Sequence, residues 1–324
     1  MSVELGVFLG SGGGLGAFDA GVLRHLVETK QTPFVITGMS MGALQAALFA
    51  GSNQPIDTLE TFWATLARQE WPGVTERAGL ALSAWGVPSF YRLGMPWEHG
   101  VYSLRPLRQL LLSLIDFDRL NRGPIRVVVP AMNLRTGHLE HFENQGPYPT
   151  WLTVDHLLAN ATLPVAFSPV VIEGEAYWDG GFFEHQPLGP LLARLTGDKH
   201  VIVSSLYRGE EPLPTTPMEA SLRMVALMVR QKLQTSVALA RQMQLFKGKA
   251  QLPDALEVFR GIKHFDWVES TDPNLTAGGL FQEAVKARYL AGYQAAQRLA
   301  FPEKTAAQTA RTRRSIAQKP LRKR

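Results

Sequence analysis

Phe-Val-Ile-Thr-Gly-Met-Ser-Met-Gly-Ala-Leu-Gln-Ala-Ala-Leu-Phe-Ala, residues 34–50, is the stretch from which the rest of the chain can be organised. Phe34 to Thr37 reads as a short buried strand, and a helix opens after Gly42 and runs to Ala50. Between them stands Gly38-Met39-Ser40-Met41-Gly42, a Gly-x-Ser-x-Gly pentapeptide. Small flanking residues tolerate the strained turn that holds a serine hydroxyl out at the end of a strand. The helix behind it points N–H groups at any negative charge that develops there. A bare pentapeptide of this kind is a weak signal; its place between strand and helix makes it stronger.

Upstream, Val3 to Leu9 forms a short apolar run that ends in Gly10-Ser11-Gly12-Gly13-Gly14-Leu15-Gly16, a strand meeting a tight turn. Phe18, Val22, Leu23, Leu26 and Val27 then recur at helical spacing. Two strands joined by such a crossover are normally parallel neighbours, so their C-terminal ends lie side by side. The glycine loop and Ser40 therefore fall on one edge of one sheet, where open α/β sheets place their ligands. Further strands are expected at 125–131, 138–142, 170–172, 177–178 and 200–206, with helical stretches near 57–69, 103–114 and 151–161. This alternation predicts an α/β fold, a three-layer α/β/α sandwich with a mainly parallel central sheet. After a linker at 210–214, a long helix is expected over 217–246, a late strand over 255–259 and a final helix over 277–299. The expected division is one domain over 1–303, with a core to 209 and a C-terminal helical part over 215–303, followed by a basic tail at 304–324.

Composition narrows the classes. At 324 residues the chain can bury a full core, and 45% hydrophobic with 19% charged residues is a globular balance. No apolar run of 18 residues suggests a membrane span, and the N-terminus reads as a first strand and not as a signal peptide. The chain holds no cysteine, which excludes disulfides, a thiolate nucleophile and Cys-ligated zinc. A cytoplasmic location is expected, with peripheral membrane contact as an addition to it. The net charge of +5 divides unevenly: residues 304–324 hold eight Lys and Arg and no acid, leaving −3 on the rest. Such a tail is expected to be disordered, either a solubilising end or an electrostatic contact for anionic lipid or nucleic acid. For the domain itself, nucleic acid is not the expected partner.

The glycine cluster is no P-loop, because no Gly-Lys-Ser/Thr closes it, and no dinucleotide fingerprint, because Leu15 stands where the third glycine is due. Two readings remain: an oxyanion hole built from the backbone N–H groups of Gly12, Gly13 and Gly14, or a plain strand-to-helix turn. For a base there are eight histidines, His25, His99, His138, His141, His156, His185, His200 and His264, none marked by a motif. The better candidate is Asp179 in Trp178-Asp179-Gly180-Gly181, an acid at the end of an apolar segment, although Asp-Gly is also a common turn pair.

Taken in order, these motifs resemble the patatin-like phospholipase family. Residues 11–16 stand in place of its glycine-rich oxyanion loop, 38–42 in place of its serine elbow and 179–181 in place of its Asp-Gly-Gly. Ala159-Asn160-Ala161-Thr162-Leu163-Pro164 through Pro169 is similar to the family's lead into the aspartate, and Asn133 to Gly137 to its mid-domain turn. The resemblance covers about residues 3–300 and implies a lipid acyl-ester hydrolase with Ser40 as nucleophile, Asp179 as base, an acyl-enzyme intermediate and neither metal nor organic cofactor. Two positions depart from the family pattern: Leu15 where a cation is usual and His185 where Asn often stands. An α/β-hydrolase with a Ser–acid–His triad, and a silent lipid- or partner-binding protein, are the competing readings. Residues 78–97, with Trp85, Phe90, Tyr91 and Trp97 and a single charge, Arg92, read as a lid or membrane contact, or as a cap packed on the core.

Overall fold

The computed structural model describes residues 3–10, 12–68, 103–164, 167–184, 187–245, 254–270 and 282–301. The expected lid at 78–97, the basic tail, Ser11, His99 and His185 lie outside the described residues.

Eight strands form one sheet: β1 (Val3–Leu9), β2 (Val35–Gly38), β3 (Arg126–Asn133), β4 (Leu139–Glu143), β5 (Val170–Ile172), β6 (Glu175–Asp179), β7 (Asp198–Ser205) and β8 (Ile262–Glu269). Their order is β5-β6-β3-β2-β1-β7-β8, with β4 paired to β3 off this path. The helices are α1 (Ala17–Glu28), α2 (Met41–Ala50), α3 (Pro55–Arg68), α4 (Arg105–Leu114), α5 (Phe117–Arg122), α6 (Val154–Ala161), α7 (Gly189–Leu192), α8 (Pro217–Leu245), α9 (Asp254–Glu257) and α10 (Gln282–Ala296).

Strand periodicity explains the layers. Along β1, Val7 and Leu9 enter one apolar cluster with residues of α1, α2 and α3, while Phe8 enters another with Leu191 and Leu192 of α7 and Leu233 and Val237 of α8. A sheet buried on both faces needs helices on both, which gives the expected sandwich. The centre is parallel: β2, β1, β7 and β8 run the same way, and β3 joins β2 in parallel.

β3 then does something the linear pattern does not reveal. Val128 pairs with Thr37 of β2 and with Glu143 of β4, so those two strands occupy its opposite edges. Ala131 pairs with Glu140 of β4 and with Asp179 of β6. Because a strand has only two hydrogen-bonding edges, β6 must take over the edge that β2 vacates. It runs antiparallel, so its last residue, Asp179, meets the end of β2 two residues before Ser40.

The late strand expected at 255–259 is displaced. Residues Asp254–Glu257 are helical, and the strand is β8, which pairs in parallel with β7. Ala-Leu-Glu-Val-Phe is a short apolar run that fits either state, and β8, with Lys263, His264 and Asp266 along it, carries the polar residues of an edge strand. Residues 215–303 are therefore not helical throughout: they supply the sheet's last strand. Among the described residues, no helix is long and apolar enough to cross a membrane.

Candidate active site

Ser40 sits on the turn between β2 and α2 with φ 51° and ψ −120°, a conformation that costs an L-residue about 1–3 kcal/mol. The flanking glycines explain how the turn closes. A Cβ on Gly42 would lie 2.5 Å from the Leu9 carbonyl oxygen, and one on Gly38 would lie 2.4 Å from the carbonyl carbon of Gly42. The Met39 N–H donates to the Leu9 carbonyl at 3.3 Å, tying the elbow to the end of β1. Ser40 is 9% exposed and stands at the N-terminus of α2, where the helix dipole concentrates positive potential.

The glycine loop packs against this elbow. Gly13 to Gly16 form a 3₁₀ turn in which the Leu15 N–H donates to the Gly12 carbonyl at 3.0 Å. From α2, the buried Gln45 donates to the Gly16 carbonyl at 2.9 Å and accepts from the Trp63 indole N–H of α3 at 3.0 Å. At the other end the buried Asp19 receives the Ser204 hydroxyl, and the Gly10 N–H also bonds to it. Burial outweighs both donors and pushes the Asp19 carboxyl well above the usual carboxylate range. Leu15 is a buried apolar residue, so this loop position carries no cation.

Asp179 completes the group. Its N–H donates to the Thr162 carbonyl at 2.9 Å, and its Oδ1 accepts the Gly181 N–H at 2.8 Å. Oδ2 is buried and has no hydrogen-bond partner among the described residues. Burial raises the carboxyl to about 7, opposed by the Gly181 N–H and by the Ser40 side chain. Asn160 holds the Pro130 carbonyl beside this strand end, which accounts for the Asn-Ala-Thr stretch ahead of Asp179. Asn133 in turn accepts the N–H groups of Arg135 and Thr136, closing the turn that leads from β3 to β4.

A small cavity of about 20 Å³ adjoins these elements, lined by Gly10, Met39, Gly181, Leu206, Tyr207 and Leu233 among others. Tyr207 has its phenol pushed upward by burial first and by the charge of Asp179 second, so it lies within the field of that carboxyl. Sequence reasoning missed Gln45, Asp19 and Tyr207. A glutamine inside the apolar α2 and an aspartate at the start of α1 were the available signals for the first two; Tyr207 had none.

No described histidine is bonded to Ser40 or Asp179. His200 pairs with Asp266 at 2.6 Å, and it sits at the level of Leu5, far back along the parallel strands from the edge that bears Ser40. His156 caps α6 through Thr153, His141 faces Glu184 at 3.4 Å, and His25 packs on Tyr293.

A serine on a strained strand-to-helix turn, a glycine loop on the neighbouring strand and a buried carboxylate beside the serine place the chain among α/β proteins of the serine-elbow type. The patatin-like phospholipase family model matches residues 7–192, more than half of the chain, and the chain belongs to that family. Among solved structures, VipD from Legionella pneumophila is 14% identical with a TM-score of 0.45, covering 92% of this chain and 66% of its own. ExoU from Pseudomonas aeruginosa, in complex with SpcU, is 14% identical with a TM-score of 0.29, covering 92% of this chain and 71% of its own. A further ExoU structure is 16% identical with a TM-score of 0.28, covering 98% and 70%. No curated protein matches the chain. This chain thus spans about two thirds of the length of the VipD chain.

Proposed function

We propose that the chain is a lipid acyl-ester hydrolase working through a Ser40–Asp179 dyad, on a single domain that spans residues 1–303. The observation that carries this reading is the environment of Asp179: a buried carboxyl raised to about 7, opposed only by the Gly181 N–H and the serine it faces. A base near neutral pH is what proton abstraction from a serine requires, and Asp179 supplies it without a histidine among the described residues.

Asp179 takes the Ser40 proton as Oγ bonds to the ester carbonyl carbon. The oxygen that becomes negative is received by backbone N–H groups of the Gly12-Gly13-Gly14 loop and by the start of α2. Collapse of the tetrahedral intermediate breaks the C–O bond to the alcohol, which leaves with the proton from Asp179. Water, deprotonated by Asp179, then attacks the acyl-enzyme and releases the fatty acid, returning the proton to Ser40. Met39, Leu206 and Leu233 give the site an apolar flank, the surface chemistry that an acyl chain would meet there.

The test compares wild type, Ser40→Ala and Asp179→Asn on a short-chain chromogenic ester and on phospholipid vesicles, with folding checked by circular dichroism. Hydrolysis by wild type and its loss in both variants is the expected result. Full activity in Ser40→Ala, or an inactive wild type on every ester, overturns the reading.

A further inference from the structure

α10 lies outside the residues matched by the family model, yet it reaches the glycine loop. Its packing on α1 is set by two glycines: a Cβ on Gly292 would lie 1.9 Å from the Phe18 carbonyl oxygen, and one on Gly21 would lie 2.0 Å from the Tyr289 carbonyl oxygen. The backbones are therefore in direct contact. Two phenols fix the register, Tyr289 donating to Glu60 at 2.7 Å and Tyr293 to Glu28 at 2.6 Å, with Arg24 stacked over the Tyr293 ring. One turn before Gly292 stands Arg288, only 2% exposed, and its guanidinium donates to the Gly14 carbonyl at 3.0 Å.

We infer that Arg288 is a positioning residue for the oxyanion loop, and that α10 is thereby part of the catalytic machinery; this rests on the Ser40–Asp179 reading above. Glycine peptides flip easily because no Cβ restrains them, and a flipped Gly14–Leu15 peptide would break the bond from the Leu15 N–H to the Gly12 carbonyl that closes the turn and aims the loop's remaining N–H groups. A buried guanidinium on that carbonyl holds the peptide one way round. It also places a full positive charge next to the loop, where Leu15 offers none. The loop is then gripped at both ends, by Asp19 at the Gly10 N–H and by Arg288 at the Gly14 carbonyl.

The experiment is amide hydrogen exchange over residues 10–16, together with kcat and KM on a short-chain ester, for wild type, Arg288→Met and Arg288→Lys. The expected result for Arg288→Met is exchange about 10-fold faster or more at 12–16, beyond any change in α1 and α10. In the same variant kcat should fall about 10- to 100-fold with KM little changed. Arg288→Lys keeps the charge without the planar fork and should fall between; it also carries the comparison if the methionine variant does not fold. Exchange at 12–16 that rises no more than in the flanking helices, or an unchanged kcat in a folded variant, overturns the inference. A wild type that hydrolyses no ester defeats the dyad instead, and the exchange data still decide whether Arg288 holds the loop.

Discussion

The described residues include two buried Asp–Ser pairs, and they differ in an instructive way. Asp179 faces Ser40, and Asp19 receives the hydroxyl of Ser204. Each carboxyl accepts one glycine N–H, from Gly181 or from Gly10, and each has an Oδ2 without a hydrogen-bond partner among the described residues. Burial raises both. The difference lies in backbone and access: Ser204 is a fully buried residue of regular β7, whereas Ser40 stands on a strained turn at a helix N-terminus, with Met39 beside it lining the cavity. The same two functional groups thus serve as glue in one place and as a proposed catalytic dyad in the other, and the main chain decides which.

The sharpest way to break this comparison is to remove each hydroxyl. Ser40→Ala should lower kcat about 10³-fold or more, while Ser204→Ala should leave ester hydrolysis within about threefold of wild type, as read by steady-state kinetics. Equal losses would mean that the second pair does chemistry as well. Next in size, Asp179→Asn should lower kcat about 10²- to 10⁴-fold. In wild type, kcat/KM should rise with pH through about 7 as Asp179 ionises, and Asp19→Asn should leave that limb in place.

Stability gives the next test, with a defined sign. A carboxyl raised in the folded state favours folding when protonated, so its contribution is lost as pH climbs from the unfolded value of 3.8 through the folded one. Asp179→Asn should therefore melt higher than wild type by an amount that grows between about pH 4 and 7 and then levels off, about 2–4 kcal/mol at the plateau. Thermal melts at several pH values measure it. Smallest in free energy, Ser204→Ala should cost about 1–3 kcal/mol by stripping a donor from Asp19, measurable by urea unfolding.

What the sequence made legible was local. A strand ending in glycines, a strand ending at Gly38 and an acid before two glycines each announce themselves within a few residues, and they carried Ser40, Asp179 and the loop. What stayed hidden was set by pairing across long distances. Nothing near Asp179 says that β6 will inherit the edge of β3 left by β2, and nothing near Arg288 says that it will bond to a residue close to the other end of the chain. β8 went unread for the opposite reason, since an edge strand with solvent-facing charges lacks the apolar run that marks its central neighbours.

The placement of β8 has a practical consequence. A chain cut after residue 192, where the family match ends, would lose β7 and β8 together, leaving β1 with a bare flank. That flank is a row of unsatisfied amides and carbonyls beside Leu5, Val7 and Leu9, with Glu4 near its start as its one charge and no proline to discourage a neighbour. Such a fragment would offer every copy of itself a template, and it should precipitate or stack edge to edge before it can fold. The portion that names the family is thus not the portion that can live alone.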